Sequence, residues 1–432
     1  MTALLPIDDG VRRAIAQAVD SLRADNEALV ARLVRHKSVL GHEQSCLADM
    51  AVLYGELGLE PRRVAIDVDA LGEHPGFSPP LIPYAGREPV VGMLRPREAK
   101  GRSLMLQGHI DVVPEGAEDL WVTPPYEPSI RDGRMYGRGA ADMKAGVAAS
   151  LTAVRALQLA GLRPAAMLQM AAVVEEECTG NGALAVMQAL EKPDACLIPE
   201  PGPGYAALYT AEVGVVWAWV TVTGRPVHVR DMHAGVNAIE AATTIAAAFK
   251  DYESEMNRAE RRHFAFAGDN HPININFGTI EGGEWNSSVP TRARIGMRVG
   301  VMPGYSSRLV AADIRRLVAQ AASDPKLAGT QVKVEFKGFM ADGCVFPAEQ
   351  AISQAVSTLH RQVTGEDLRH YASAGLTDAR HYVLYQDTPA TCYGPDSDSI
   401  HGIDESVGLQ SLHDVTKVLA LTIAGWCGVE RI

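Results

Sequence analysis

Apolar and charged residues recur at helical spacing over about residues 11–60, which predicts one or two amphipathic surface helices. The Pro/Gly-rich stretch GEHPGFSPPLIPYAG that follows predicts a loop. From residue 88 the period changes. The apolar runs PVVGML, SLMLQG, AAMLQMAAVV and DACLIP have strand length. Between them, MKAGVAASLTAVRALQLAG has helical periodicity, with Gly161 placed to end it. Strands alternating with helices imply an α/β fold with a mainly parallel sheet covered by helices.

A second pattern begins near residue 214. GVVWAWVTVTG, HPININFGTIEGG, VPTRARIGMRVGVMPG and QVKVEFKG read as strands, and GVNAIEAATTIAAAFKDYESEM and SSRLVAADIRRLVAQAAS as helices. The order β-α-β-β-α-β is the ferredoxin-like α+β arrangement. The chain then returns to a helix at 348–363, the strand TPATCYGP and a closing helix, LHDVTKVLALTIAGWC. The expected organisation is a first domain of residues 1–213 and 336–432, interrupted by an inserted domain of residues 214–335. A length of 432 residues exceeds what one hydrophobic core usually serves, in keeping with two domains.

Composition narrows the function without naming it. Apolar residues make up 47% and charged residues 21%, the balance of an ordinary globular chain. A net charge of −12 gives no bulk attraction for nucleic acid or an anionic membrane, so neither is an expected partner. Charges interrupt the apolar runs before membrane-spanning length, and MTALLPIDDG lacks the basic and apolar regions of a signal peptide. Cys46, Cys178, Cys196, Cys344, Cys392 and Cys427 show no C-x-x-C spacing and read as reduced thiols. The cytoplasm is the expected location.

Polar residues of one chemical kind fall at a repeated address. His109 follows SLMLQG, the run Glu175, Glu176 and Glu177 follows AAMLQMAAVV, and Glu200 follows DACLIP. His401 follows TPATCYGP, and Asp142 closes the glycine-rich loop YGRGAAD before a helix. Taken singly, each has an ordinary reading: a loop histidine, a solvated acidic face, a helix N-cap. In open α/β sheets, however, sites form at the carboxyl ends of strands, so these residues converge on one cleft. Imidazoles and carboxylates are ligands of catalytic zinc, and two neighbouring ions can share a bridging carboxylate.

The segments GHIDVVP, YGRGAADMKAG, EEECTGNGA, PEP and YGPDSDSIHGIDE occur in the order and spacing of a known family. The chain resembles the dinuclear metallohydrolases that include acetylornithine deacetylase, succinyl-diaminopimelate desuccinylase, aminoacylase and the glutamate-releasing carboxypeptidases. It is most similar to the acetylornithine deacetylase-like branch. The resemblance runs from about residue 88 to the C-terminus and implies that the inserted domain is a dimerisation or lid domain in a homodimer.

It further implies that His109 and Glu200 hold one divalent ion, that Glu177 and His401 hold another, and that Asp142 bridges them. Asp111 would accept the ring N–H of His109 and fix its tautomer. Aligning the glycines of CTGNGA makes Glu176 the proton-transferring base and Glu177 the ligand; a frame shifted by one residue is the alternative. The family also has a cis peptide at the position of Asp142–Met143. His228, in GRPVHVRDMHAGVNAIE, matches a histidine that reaches the partner subunit's site and stabilises an oxyanion. Asn286 and Arg298 match positions that bind substrate polar groups, and an arginine fork suits a carboxylate. His233 is expected at the surface or facing substrate, and Thr377, Asp378 and His381 in a region that shapes specificity.

The expected function is a metal-dependent hydrolase that cleaves a C–N bond, usually an amide, in a small carboxylate-bearing substrate. An N-acyl amino acid deacylase, in which Glu176 activates a metal-bridging water, leads. The alternatives are a di- or carboxypeptidase, hydrolytic deamination of an activated aromatic amine such as a substituted aminobenzoate, and an inactive binding or scaffold protein. Loss of a ligand or base would favour the last, and all those positions are filled. Zinc is the family default, while the same ligand types accept manganese or cobalt.

Overall fold

SLMLQGH becomes a strand buried on both faces because every residue from Leu104 to His109 is packed between helices, leaving no polar face to turn outward. In the computed structural model of the protein, which describes residues 4–432, that run is the second of the principal strands; the first three residues of MTALLPIDDG lie outside the described residues. In chain order, the first five are β1 (Val90–Leu94), β2 (Leu104–His109), β3 (Leu168–Val173), β4 (Cys196–Ile198) and β5 (Ala207–Glu212). Then come β6 (Gly214–Thr223), β7 (Ile275–Gly282), β8 (Arg292–Val301) and β9 (Gln331–Glu335). The chain finally returns to the first sheet with β10 (Arg369–Ser373) and β11 (Ala390–Gly394).

The large sheet runs β1-β3-β2-β4-β11-β5, extended by the short strands Arg62–Arg63 and Cys344–Val345 at its ends, with β10 pairing β5. Its centre, β3-β2-β4-β11, is parallel, while β1 and β5 join it antiparallel. The helices Gly146–Leu159 and Leu409–Cys427 pack against each other and are buried along most of their length, which explains why neither is sharply amphipathic. Gly146 is required by close approach: a Cβ there would stand 2.0 Å from the Pro199 carbonyl oxygen.

The N-terminal region departs from expectation. Residues Asp9–Ser21, Arg23–Val34 and Gln44–Glu56 form three helices, not one or two. Ile15, Val30, Leu33, Leu47 and Met50 are buried in the main core, so these helices cover the sheet as well as facing solvent. The single helix read over 235–256 is two, Ala238–Ala247 and Phe249–Met256.

The second sheet is antiparallel in the order β7-β8-β6-β9, the ferredoxin-like strand order. Val216, Ala218, Val220 and Val222 of β6, with Ala293, Ile295, Met297 and Val299 of β8, bury one face beneath the helices Ala238–Ala247 and Ser307–Ala322. The alternate residues, Trp217, Trp219 and Thr221 opposite Arg298, Gly296 and Arg294, share the other face. Only Val213 separates β5 from β6, so the chain steps directly from one sheet to the other.

Candidate active site

Polar residues at the strand ends meet. His109 closes β2, the Glu175–Glu177 run follows β3, Glu200 follows β4, and His401 lies beyond β11. His109 Nε2 is 3.0 Å from Asp142 Oδ1 and 3.7 Å from Glu200 Oε1. His401 Nε2 is 3.0 Å from Glu177 Oε2 and 3.5 Å from Asp142 Oδ2. The two oxygens of Asp142 thus face different imidazoles.

Potential ligand atoms of His109, Asp142 and Glu200 lie within 4.8 Å of one another, as do those of Asp142, Glu177 and His401 and those of His109, Glu176 and Glu177. Glu200 Oε1 is buried and, among the described residues, has no hydrogen-bond partner. A buried carboxylate oxygen so placed is costly unless a cation or donor meets it. The donor set and this oxygen fit divalent cations.

The electrostatics reflect the crowding. Burial pushes the Glu176 and Glu200 carboxyls well above the usual glutamate range, against the pull of His109. His401 is raised to about 11, first by the Glu177 carboxylate. Burial opposes ionisation of Asp142, but the hydrogen bonds and charges of His109 and His401 together hold its carboxyl low.

Each acidic residue of the EEE run points to a different place. Glu175 has a backbone φ of +61°, and its carboxylate turns away into a buried network. There it pairs with Arg87 at 2.7 Å and accepts from Tyr84 Oη–H and Thr179 Oγ1–H, while Arg87 also pairs with Glu43. Glu177 faces His401. Glu176 Oε2 lies 3.9 Å from His109 Nε2. Both Glu176 and Glu177 line the cleft.

Asp111 corrects one sequence expectation. The acceptor for His109 Nδ1 is the Asp111 backbone carbonyl at 2.9 Å, whereas its carboxylate lies 3.8 Å away at the closest. That carboxylate instead accepts the backbone N–H groups of Glu176 and Glu177 at 3.4 and 3.2 Å. It therefore orients the glutamate run, and burial raises it to about 7.

Sequence reasoning assigns nothing to Glu405, yet this buried carboxylate accepts from the backbone N–H groups of Gly139, Ala141 and Asp142 and from Arg138. It holds the loop that presents Asp142, whose peptide bond to Met143 is cis. The available signal is an acidic residue closing the motif YGPDSDSIHGIDE, with a glycine-rich loop elsewhere needing acceptors.

The site opens into a cavity of about 640 Å³ shared with the second sheet. Asp142, Glu176, Glu177, Glu200 and His401 line one side; Trp217, Trp219 and Arg298 line the other. Thr377 lines it too, while Asp378 and His381 are buried and do not. His228, His233 and Asn286 also lie off this lining, exposed on the inserted unit. His228 and Asn286 occupy neighbouring loops, joined by a bridge between His228 and Ser288.

The sequence pattern of peptidase family M20/M25/M40 matches residues 105–425. The chain belongs to this family. It is a hydrolase of C–N amide bonds, in a family of dinuclear metal-binding enzymes. The chain is similar to the N-formyl-4-amino-5-aminomethyl-2-methylpyrimidine deformylase of Halalkalibacterium halodurans, at 26% identity over 364 residues, covering 76% of this chain and 80% of that protein. It is similar to the succinyl-diaminopimelate desuccinylase of Psychromonas ingrahamii, at 27% identity over 406 residues, covering 92% and 97%. Human carnosine dipeptidase 1 shares the fold with a TM-score of 0.76 at 17% identity, covering 97% of this chain and 98% of that one. Among the described residues no helix is long and apolar enough to cross a membrane, and all six cysteines are free and buried.

Proposed function

We propose that the protein is a deacylase of N-acyl amino acids whose site holds two divalent cations, with His109 and Glu200 on one, Glu177 and His401 on the other, and Asp142 between them. The observation that carries this reading is Asp142, whose two carboxylate oxygens face the imidazoles of two overlapping ligand groups. Zinc is the expected metal, and the ligand chemistry also accepts manganese or cobalt. When bound, such ions polarise the scissile carbonyl and make water acidic enough to be deprotonated near neutral pH.

Glu176 is the proposed base. It lines the cleft close to His109, whereas Glu175 is committed to Arg87 and Tyr84, which supports Glu176 as base and Glu177 as ligand. Glu176 takes a proton from the attacking water and delivers it to the departing nitrogen. Asp111 keeps Glu176 and Glu177 in register through their backbone N–H groups. Arg298 lines the cleft and donates to the Ala374 carbonyl oxygen at 2.9 Å, which fixes its guanidinium there, and a substrate carboxylate is its proposed further partner.

The assignment extends to a homodimer. His228 and Asn286 do not line their own chain's cavity, and β7 is an exposed edge strand beside Trp285, which is 74% exposed. A two-fold contact through this unit would carry His228 to the other copy's site as an oxyanion donor and Asn286 to the substrate. The six free thiols support a reducing, cytoplasmic setting.

Elemental analysis of the purified protein, joined to turnover of N-acyl amino acids, dipeptides and aminobenzoates, tests the proposal. Two ions per chain with N-acyl amino acids as the best substrates is the expected result. Turnover confined to dipeptides or aminobenzoates would replace the deacylase reading, and a metal-poor, inactive protein would remove it.

A further inference from the structure

A chain only 6% aromatic places five rings on the one cavity that contains its candidate metal ligands: Tyr209, Trp217, Trp219, Phe339 and Tyr371. Two edge-to-face pairs stiffen this lining. Trp217 meets Phe339 with centroids 5.5 Å apart, and Tyr209 meets Tyr371 at 5.1 Å. Trp217 and Trp219 are two residues apart on β6, so both indoles stand on the face turned from the helices. Trp217 packs against the Val215, Phe339 and Ala341 cluster, and Arg294 stacks on one face of the Trp219 ring at 4.3 Å, so the rings are held with their remaining surface toward the cavity.

The neighbouring residues make room for these rings. Opposite Trp219 stands Gly296, where a Cβ would lie 2.7 Å from the indole. Behind Trp217 stands Gly338, at a φ of +81°, where a Cβ would lie 2.4 Å from the ring. Each indole thus rests across a position where a side chain would collide with it. The Trp219 Nε1–H is buried and, among the described residues, has no acceptor. Arg298 is directly opposite Trp217 in the ladder, with Asn276 next to it on β7. A cation and an aromatic surface are therefore adjacent on one wall, facing the strand-end carboxylates across the cavity.

We infer that the substrate carries an aromatic ring on the same side of the scissile bond as its carboxylate, with the ring against Trp217 and Trp219 and the carboxylate on Arg298. Trp217 and Trp219 are then specificity-determining residues, and the substrate class is an acylated aromatic amino acid or aryl carboxylate. This rests on the deacylase reading for the bond cleaved, but not for the recognition of the ring.

The test uses the metal-loaded full-length protein and two readouts. The first is kcat/KM for N-acetyl-alanine, N-acetyl-leucine, N-acetyl-phenylalanine and N-acetyl-tryptophan. The second is calorimetric binding of 3-phenylpropionate and propionate, which needs no turnover. The wild type should favour the aromatic member of each series by about tenfold or more. Trp217→Ala and Trp219→Ala should each reduce that aromatic-to-aliphatic ratio at least threefold, and Trp217→Phe, which keeps a ring and guards against a misfolded variant, should restore most of it. Equal treatment of alanine and phenylalanine substrates, or a ratio unmoved by both alanine variants, overturns the inference. If no amide is hydrolysed while 3-phenylpropionate still binds in a Trp217-dependent way, the deacylase reading fails and the aromatic site stands. No turnover and no aromatic preference in binding removes both.

Discussion

The two walls of the cleft are built by opposite rules. On the strand-end wall the polar groups are held in place by others: Asp142 by the loop that Glu405 ties down, and Glu176 and Glu177 by Asp111. On the opposite wall, Trp217, Trp219 and Arg298 stand on regular antiparallel strands. Moving a proton or holding an ion needs groups fixed within fractions of an ångström, so it recruits hydrogen-bond networks. Recognising a ring needs a flat apolar surface, which one face of a strand supplies. Changes on the first wall should therefore act on catalysis, and changes on the second on which substrate is chosen.

The largest expected effect is at Asp142, which is shared by the ligand group of His109 and Glu200 and that of Glu177 and His401. Asp142→Ala should lower metal content and reduce kcat by on the order of ten-thousandfold, a loss of several kcal/mol of transition-state stabilisation. Elemental analysis beside steady-state kinetics checks it, and full retention of two ions would show that Asp142 is not shared between them. Glu176→Gln separates chemistry from metal binding on the same wall. Its kcat should fall by about a thousandfold with metal content unchanged, because only proton transfer is removed. Loss of metal in Glu176→Gln and its retention in Glu177→Gln would mean the two roles are exchanged.

Legibility in the sequence follows the same division. Parallel strands, glycine-bearing loops and polar strand ends identify His109, Asp142, Glu177, Glu200 and His401 as convergent, because topology alone sends them to one edge of a sheet. Family resemblance adds the cis peptide at Asp142–Met143, which the structure contains. The order β-α-β-β-α-β likewise leads to the strand order found. Glu405 is not legible in this way, since its role depends on three N–H groups some 260 residues earlier in the chain. Nor is the atom with which Asp111 meets His109, because spacing does not distinguish a carbonyl from the carboxylate beside it. In GVVWAWVTVT both faces are apolar, so alternation marks a strand without showing that the tryptophans face a cavity.

His228 belongs to neither wall of its own chain, which makes it a test of whether the cleft is complete within one subunit. His228→Ala should reduce kcat by about a hundred- to a thousandfold, the usual cost of losing an oxyanion donor, with metal retained. Mixing His228→Ala chains with Glu176→Gln chains should restore part of the activity, since a mixed dimer holds one site with both residues intact. A mixture that stays inactive after verified subunit exchange would place the whole site in one chain.

The smallest effect is expected where the two regions join. Glu212 ends β5, with only Val213 between it and β6, and its buried carboxyl accepts from the Thr377 N–H and Oγ1–H. Burial raises it to about 8 from a usual value of 4.5, against the opposing influence of Thr377 and Arg380. Between these two values the folded protein keeps a proton that the unfolded chain releases. Its contribution to stability is therefore fully present below about pH 4.5 and is lost as pH rises through about 8. Glu212→Gln carries no titrating group, and its amide oxygen can still accept from Thr377. The variant should lose less stability than the wild type over that range, read as a smaller fall in Tm between pH 5 and about 8. Scanning both proteins at fixed metal concentration cancels the titration of the site carboxylates common to them. A difference in Tm that stays constant from pH 5 to about 8.5 would show that Glu212 ionises no differently in the folded and unfolded chains, and that the junction contributes nothing to the pH dependence of either wall.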